Sequence, residues 1–360
     1  MLQAIIGIAI LIMILGFLYL ISRFRKFCFV QRLAGGRKWL TWVIAVLPIL
    51  VIVYFGFQDL INTVIAVLHL MIFWLLCDLI GRIPKKREKF YWQGTLAIAV
   101  TTVYLEYGWY QDHHVYETDY TVETVKELGT DSLRIVQISD SHLGATFDGE
   151  GFARHIKRIK ETNPDLVVIT GDFVDDDSTK EDMIISCEAL GTWKPKYGIY
   201  FVFGNHDKGY FNYRDFSTEE LRSELEKSGV QILEDETVQI TEHLSLTGRQ
   251  DRSEYERKSA QELAEELDMS NYTILLDHQP NDYDAEEAAG FDLVLSGHTH
   301  GGQMFPIGIT GVLSGANDKT YGLEARGGTT FIVNSGISDW AIKFKTATFS
   351  EFGVIVITKK

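Results

Sequence analysis

Five apolar runs in the later two thirds of this 360-residue chain each stop on a polar, metal-capable residue, and that pattern limits the fold more than any other feature. Residues 133–138 lead to Asp140-Ser141-His142, 166–169 to Gly171-Asp172, and 199–203 to Gly204-Asn205-His206-Asp207. Residues 272–276 lead to Asp277-His278, and 291–295 to Gly297-His298-Thr299-His300. Short continuous apolar runs of this kind read as buried strands. Polar groups just past the carboxyl ends of neighbouring strands in an α/β sheet converge in one crevice, where such sheets bind their ligands. A single Asp, Asn or His at a strand end is commonplace in turns, but five in sequence form a constellation.

The residue types specify the chemistry. A pair of divalent ions roughly 3.5–4 Å apart needs a bridging carboxylate, further oxygen and nitrogen ligands, and open positions for water and substrate oxygen. Asp172 is the natural bridge. Mixed carboxylate, amide and imidazole donors suit Mn, Fe or Zn, whereas a thiolate set would point elsewhere. None of the three cysteines, Cys28, Cys77 and Cys187, lies in the set, and Cys187 stands alone in the later part of the chain, so no disulfide forms within it.

The ordered pattern D-x-H, G-D, G-N-H-D, H, G-H-x-H resembles the calcineurin-like metallophosphoesterase superfamily from about Ser132 onward. The resemblance implies a four-layer αββα sandwich. It implies that Asp140, His142 and His300 hold one metal, that Asn205, His278 and His298 hold the other, and that Asp172 bridges them. His206 is the implied catalytic histidine, assisting the leaving group or the transition state during in-line hydrolysis of a phosphoester. Asp207, next to it, is expected to orient the imidazole and raise its pKa. A narrower likeness to the membrane-associated bacterial phosphodiesterase branch rests on Ser296-Gly-His-Thr-His-Gly-Gly-Gln303, Pro306, Tyr321-Gly-Leu323 and Val333-Asn-Ser-Gly-Ile337. That branch commonly has Asn-Arg-Gly near Asn334, then a Pro and an Arg-Phe pair. This chain has Ser335 and Lys343-Phe344-Lys345, positions expected to line the approach to the metals.

Other polar residues carry blander expectations. His69, His155 and His243 lack a partner pattern and read as solvated or core histidines, and His113-His114 as an exposed pair beside a membrane segment. Asp175-Asp176-Asp177 reads as a solvated acidic loop capping a helix around Met183 to Leu190. Ser217-Thr-Glu-Glu220 resembles a capping box opening a helix to Lys227, and a second charged helix is expected from Tyr255 to Leu267.

The first 110 residues are of a different kind. Residues 2–21 carry no charge, and apolar stretches follow at about 39–57, 61–80 and 91–110, each approaching the ~20 residues that span hydrocarbon. Four transmembrane helices are expected, with residues 111–131 as linker plus a first edge strand and 132–360 as the catalytic domain. The first segment lacks a basic residue ahead of its apolar run, so it is expected to stay uncleaved rather than act as a signal peptide. Arg23, Arg25, Lys26, Arg32, Arg37 and Lys38 fill the first loop, and Arg82, Lys85, Lys86, Arg87 and Lys89 the third, which puts both basic loops in the cytoplasm and the catalytic domain outside. Such loops also attract anionic membrane lipids.

Charge divides along the same line. Residues 1–110 carry 11 Lys+Arg against 4 Asp+Glu, leaving 23 against 45 for the remainder. So acidic a domain is a poor match for nucleic acid, whose binding rests on Lys and Arg. The expected function is a membrane-anchored, multi-pass, two-metal phosphoesterase acting on a phosphomonoester or phosphodiester of envelope or lipid origin. The alternative is a membrane receptor or partner-binding module whose outer domain recognises phosphoesters with little turnover.

Overall fold

The structure, a computed structural model, describes residues 2–81, 91–211 and 213–360, with side chains from residue 11. The basic residues expected in the third loop lie outside the described residues. The chain divides into two compact units, Met1–Tyr107 and Gly108–Lys360.

The first unit is helical: α1 (Leu2–Phe24), α2 (Cys28–Leu33), α3 (Lys38–Gly56), α4 (Leu60–Ile80) and α5 (Trp92–His113), the last running past the division. The turn between α3 and α4 is set by Asp59, whose carboxylate caps α4 by accepting from Asn62 N–H at 3.1 Å. Leu20, Phe24, Ala45, Val67 and Trp74 pack together inside. Asp78, near the end of α4, is neutralised by Arg23 Nε at 2.5 Å and accepts from Tyr19 OH at 2.9 Å. Among the described residues two helices, α3 and α4, are long and apolar enough to cross a membrane, fewer than the four expected. The described apolar part of α1 is Leu11–Phe24. The apolar run of α5 is interrupted by Thr101, Thr102, Glu106, Gln111 and Asp112.

Among the described residues the second unit holds twelve strands: β1 (Tyr116–Thr124), β2 (Ser132–Ile138), β3 (Leu166–Thr170), β4 (Ile199–Val202), β5 (Val230–Ile232), β6 (Glu236–Thr241), β7 (Leu244–Gly248), β8 (Tyr272–Leu276), β9 (Leu293–Ser296), β10 (Gly322–Arg326), β11 (Thr329–Val333) and β12 (Glu351–Lys359). They form two mixed six-stranded sheets, ordered β1-β12-β2-β3-β4-β5 and β10-β11-β9-β8-β7-β6. β2 to β5 are parallel, as are β7, β8, β9 and β11. The stretch read as a linker contains β1, which pairs in parallel with β12 from Tyr116↔Glu351 to Thr124↔Lys359.

Alternation along the strands builds three apolar layers. Leu133 and Ile135 of β2 and Leu166 and Val168 of β3 meet Leu246, Ile274 and Leu295 of the other sheet. The opposite face, Val136, Ile138, Val167 and Ile169, packs on Phe152 and Ile156 of α6 (Gly149–Ile159) and on Met183, Cys187 and Leu190 of α7 (Lys180–Gly191). Leu275, Val294, Phe331 and Val333 face Ala260 and Leu263 on the far side of the second sheet. Because both faces are covered, these strands read as unbroken apolar runs rather than as alternating ones.

Helix α8 (Thr218–Lys227) opens on the capping box of Ser217 and Glu220. The helix expected over 255–267 is much shorter, α9 (Ala260–Ala264), opened by a second capping box of Ser259 and Glu262. The preceding backbone is engaged elsewhere: Lys258 N–H donates to Asp235 at 2.8 Å, and its carbonyl accepts from Arg249 Nε at 2.9 Å.

Candidate metal centre

The five polar segments lie at the carboxyl ends of β2, β3 and β4 in one sheet and of β8 and β9 in the other, so the two strand sets deliver their side chains to one place. Bonds between the sheets fix the register. Gln137 Nε2 donates to Ser296 O at 2.9 Å, His298 N–H to Asp140 Oδ1 at 3.0 Å, and His278 Nδ1 lies 2.7 Å from Thr170 O. Two groups of potential ligands result, Asp140 with His142 and His300, and Asp172 with His278 and His298, each with its donor atoms within 4.8 Å of one another. Asn205 joins the second group, its Oδ1 lying 3.1 Å from His278 Nε2. The His206 ring stands 5.0 Å from that of His142, and its backbone N–H donates to Asp172 Oδ1 at 2.8 Å.

The backbone at these positions is unusual. Asp140, His142, Asp172, His298 and His300 all have positive φ, at 51°, 35°, 53°, 71° and 48°. Non-glycine residues held there cost on the order of 1–3 kcal/mol each and persist only where surrounding contacts impose them. Those contacts are present: Asp140 N–H donates to Gly171 O at 2.9 Å and His142 N–H to Asp172 O at 3.1 Å. Two glycines admit the close approach. A Cβ on Gly204 would fall 2.3 Å from Asp172 Oδ1, and one on Gly297 would fall 1.8 Å from Ser139 Oγ.

The donor set fits a pair of divalent ions. His142 Nδ1 is held by Asp175 Oδ2 at 3.2 Å, His278 Nδ1 by Thr170 O, and His300 Nδ1 lies 2.7 Å from Asp339 Oδ1. A histidine fixed at Nδ1 presents Nε2 as the ligand atom. The Nε2 atoms face carboxylates at 3.6 Å (His142 to Asp172), 3.2 Å (His278 to Asp172) and 3.6 Å (His300 to Asp140), and His142 Nε2 is buried with no hydrogen-bond partner. The site calls for positive charge. Burial opposes charging His142 and His278, yet Asp175 raises the first and Asp172 lifts the second well above its ordinary value. Burial pushes the Asp140 carboxyl up, and it drives His298 down to about 4 and His300 well below its usual value, leaving both imidazoles neutral and free to ligate.

Three expectations need correction. The Asp207 carboxylate does not turn to His206: Oδ2 accepts from Asp172 N–H at 2.8 Å and Gly204 N–H at 2.7 Å, Oδ1 from Phe173 N–H at 2.8 Å and Val174 N–H at 3.1 Å. Burial lowers the His206 pKa rather than Asp207 raising it. Asp175 is not a solvated helix cap, because it is buried against His142, and Thr179 caps α7. Ser335 and Lys345 do not line the approach. Both are fully buried, and Lys345 Nζ donates to Ser335 O at 2.7 Å and Ser338 O at 3.2 Å. From that segment Trp340 reaches the site, its ring 5.8 Å from His206. Sequence reasoning also missed Asp339, which follows His300 by 39 residues and has no motif of its own.

A family model described as calcineurin-like phosphoesterase matches residues 133–302, a range that contains all seven candidate ligands and His206. An uncharacterized metallophosphoesterase of Aquifex aeolicus is 34% identical over 226 residues, covering 61% of this chain and 82% of that protein. A transmembrane protein with metallophosphoesterase domain from Danio rerio is 31% identical over 283 residues, covering 74% of this chain and 62% of the relative, so the chain spans less than two thirds of that protein. Among solved structures, a dimetal phosphatase from Danio rerio aligns over 57% of this chain and 87% of its own at 12% identity and a TM-score of 0.39. On the sequence relationships, and with a donor set suited to two divalent ions at its strand ends, the chain belongs to the calcineurin-like metallophosphoesterase family of metal-dependent phosphoester hydrolases.

Proposed function

We propose that this protein is a membrane-anchored two-metal phosphoesterase that hydrolyses a phosphomonoester or phosphodiester of an envelope or lipid-derived molecule. The observation that carries this reading is the pair of facing donor groups, Asp140–His142–His300 and Asp172–His278–His298, beside the ring of His206. Asp140, His142 and His300 would hold one ion, Asn205, His278 and His298 the other, with Asp172 between them. When bound, the ions would supply Lewis-acid charge to phosphoryl oxygens and lower the pKa of water. This chain's own contribution is positional. Asp175 and Thr170 O fix the His142 and His278 imidazoles, Asp339 Oδ1 lies beside His300 Nδ1, His206 N–H fixes Asp172, and Tyr210 OH accepts from Asn205 Nδ2 at 2.7 Å, turning the amide oxygen toward His278. The partly buried His206 imidazole is the group available to assist a leaving oxygen.

Membrane anchoring is supported by α3 and α4 and by the Danio rerio relative's name. We extend it to four spanning helices over residues 1–110, a connecting stretch over 111–131, a catalytic domain over 132–360 and an extracytoplasmic orientation, which the basic first and third loops favour. With Mn and chromogenic phosphomonoesters and diesters, His206→Ala is expected to keep near-normal metal content and lose most turnover, while Asp172→Ala loses metal. Failure of the unmodified chain to hydrolyse either ester class would overturn the enzymatic reading. Protease protection of the second unit in cells with permeabilised outer layers would overturn the orientation.

A further inference from the structure

From Gly301 to Asn317 no side chain carries a charge, inside a segment of the protein where acidic residues outnumber basic ones 45 to 23. This stretch is an ordered excursion. A 3-10 turn over Ile307–Ile309 runs into a short helix (Thr310–Leu313), Gly308 N–H donates to Met304 O at 3.1 Å, and Met304 is buried at the base. Its outer side is apolar and open: Ile309 and Leu313 are 56% and 77% exposed. Its inner side, at Ile307, Gly308 and Gly311, forms one wall of a cleft of about 270 Å³ that has His298 and His300 in its lining. Large apolar side chains projected outward beside an active-site cleft mark a surface that something covers.

The second unit begins at Gly108, whose carbonyl accepts from Lys345 N–H at 2.9 Å. The adjoining residues Thr346 and Ala347 donate to Gln303 O at 2.9 and 3.2 Å, and Phe305 N–H donates to Thr346 Oγ1 at 3.1 Å. The stem of the excursion is therefore bonded beside Gly108, the first residue of the second unit. Trp109 and Tyr110, the next two residues, are each 50% exposed, and these residue types concentrate at membrane–water interfaces. The missing charges fit as well. An anionic lipid surface repels the acidic remainder of the domain but not this segment, whose apolar side chains match the headgroup–acyl boundary.

We infer that residues 304–317 form an interfacial segment that inserts into the lipid bilayer, and that the cleft behind it takes phosphoesters of amphiphiles whose apolar chains stay in the membrane. The substrate half of this inference rests on the proposed hydrolase function, and the insertion half does not. Leu313, Ile309 and Val312 enter the boundary while the inner wall guides the headgroup phosphate from the bilayer surface toward His298 and His300.

The test uses the full chain in vesicles of phosphatidylcholine and phosphatidylglycerol, with Cys28→Ser removing the exposed thiol. An environment-sensitive fluorophore is placed through Leu313→Cys or, as a control on the exposed end of α8, through Lys227→Cys. Doxyl-labelled lipid is expected to quench the first at least 3-fold more than the second. Equal quenching, or a blue-shifted emission at 313 without lipid quenching, overturns insertion, the latter by pointing to a protein partner or a second copy. In parallel, Ile309→Asp with Leu313→Asp is expected to lower hydrolysis of a long-chain phosphoester held in the vesicles at least 10-fold, with a soluble chromogenic ester turned over within 2-fold of normal. An equal loss on both substrates overturns the delivery role. If the unmodified chain hydrolyses neither, the hydrolase reading fails while quenching still decides insertion.

Discussion

Replacing Asp207 by Asn separates a residue that builds the site from one that acts in it. Its carboxylate is fully buried and accepts four backbone N–H bonds, two on each oxygen, from Asp172, Gly204, Phe173 and Val174. An asparagine offers one acceptor oxygen. Its NH2 group must face either the Asp172 and Gly204 amides or the Phe173 and Val174 amides, so two buried donors lose their acceptor. At roughly 1–3 kcal/mol for each unsatisfied buried donor, the local cost is about 2–6 kcal/mol. One effect works the other way. Burial and the neighbouring Asp172 carboxylate push Asp207 up to about 7, so removing its charge relieves some repulsion and favours the lower end of that range. Since about 1.4 kcal/mol is a factor of ten, amides in the segments around 172–174 and 204 are expected to exchange with deuterium at least about 30-fold faster. Mass spectrometry of peptides from the full chain reads this directly, and elemental analysis is expected to show reduced metal, because Asp172 and Asn205 sit on the loosened segments. Unchanged protection with unchanged Mn content would refute the argument. Unchanged protection with a large loss of turnover would return Asp207 to a role beside His206.

Gly297→Ala is expected to be far more damaging than an ordinary surface substitution, since the new methyl meets Ser139 Oγ at 1.8 Å and Asp140 Oδ2 at 2.3 Å. Overpacking of this kind costs about 1–3 kcal/mol, and paired thermal unfolding and metal analysis should show a lower Tm with loss of an ion; a normal metal content would sink the close-packing argument. Removal of divalent ions by a chelator is expected to lower the Tm of the second unit, and Mn added back should restore it, with about 2.7 kcal/mol of stabilisation at 100 times Kd. A Tm indifferent to Mn would contradict a site that demands positive charge between Asp140 and Asp172. His155 tests a residue far from this chemistry: burial first, then Arg158 and Arg154, drive it from 6.5 down to about 4. The unfolded chain then takes up the proton first, so stability falls as the pH drops from about 6.5 toward 4. His155→Gln should flatten that limb of a Tm–pH curve, and an identical slope in both proteins would exclude the buried neutral histidine as its cause.

What the sequence discloses depends on how local the determining contacts are. β2, β3, β4, β8 and β9 are legible because strands covered on both faces must be apolar throughout, and the residues that end them are the ligands themselves. β6 and β10 are not, because Glu236–Thr241 and Gly322–Arg326 lie toward sheet edges with mixed burial and little pattern. Capping boxes are written in four consecutive residues, so α8 could be bounded at its start. The length of α9 could not, since what precedes it is captured by Asp235 and Arg249 from other parts of the chain. The same rule holds at the site. Seven candidate ligands and His206 sit in short motifs, whereas Asp175 and Asp339 matter only because the fold carries them to His142 and His300. The positive φ angles of five ligands were equally hidden, since Asp and His do not announce a left-handed backbone as Gly does.

Ser335 and Lys345, where this chain differs from the pattern of the branch it resembles, illustrate how a sequence difference can be misassigned when only distance along the chain is known. A lysine removed from water is costly unless its donors are met. Here Nζ reaches Ser335 O, Ser338 O and, at 3.3 Å, Ser350 Oγ, with Asp339 Oδ2 at 3.8 Å. The buried cation therefore closes the 335–339 turn from beneath and presents Asp339 to His300. It changes how a ligand is held rather than what a substrate meets. Gln303 reinforces the same turn, its Nε2 donating to Asp339 and to Ile342 O at 3.1 Å. If the proposed function holds, discrimination between substrates falls to residues of this segment that leave the core. Trp340 is 43% exposed beside His206 and lines the same cleft as Ile307 and Ile342, so the cleft has apolar groups close to His298 and His300. On the proposed hydrolase function, a phosphoester with an apolar portion would bury that portion against Trp340 and Ile342, whereas a small, fully charged phosphate would gain nothing from them.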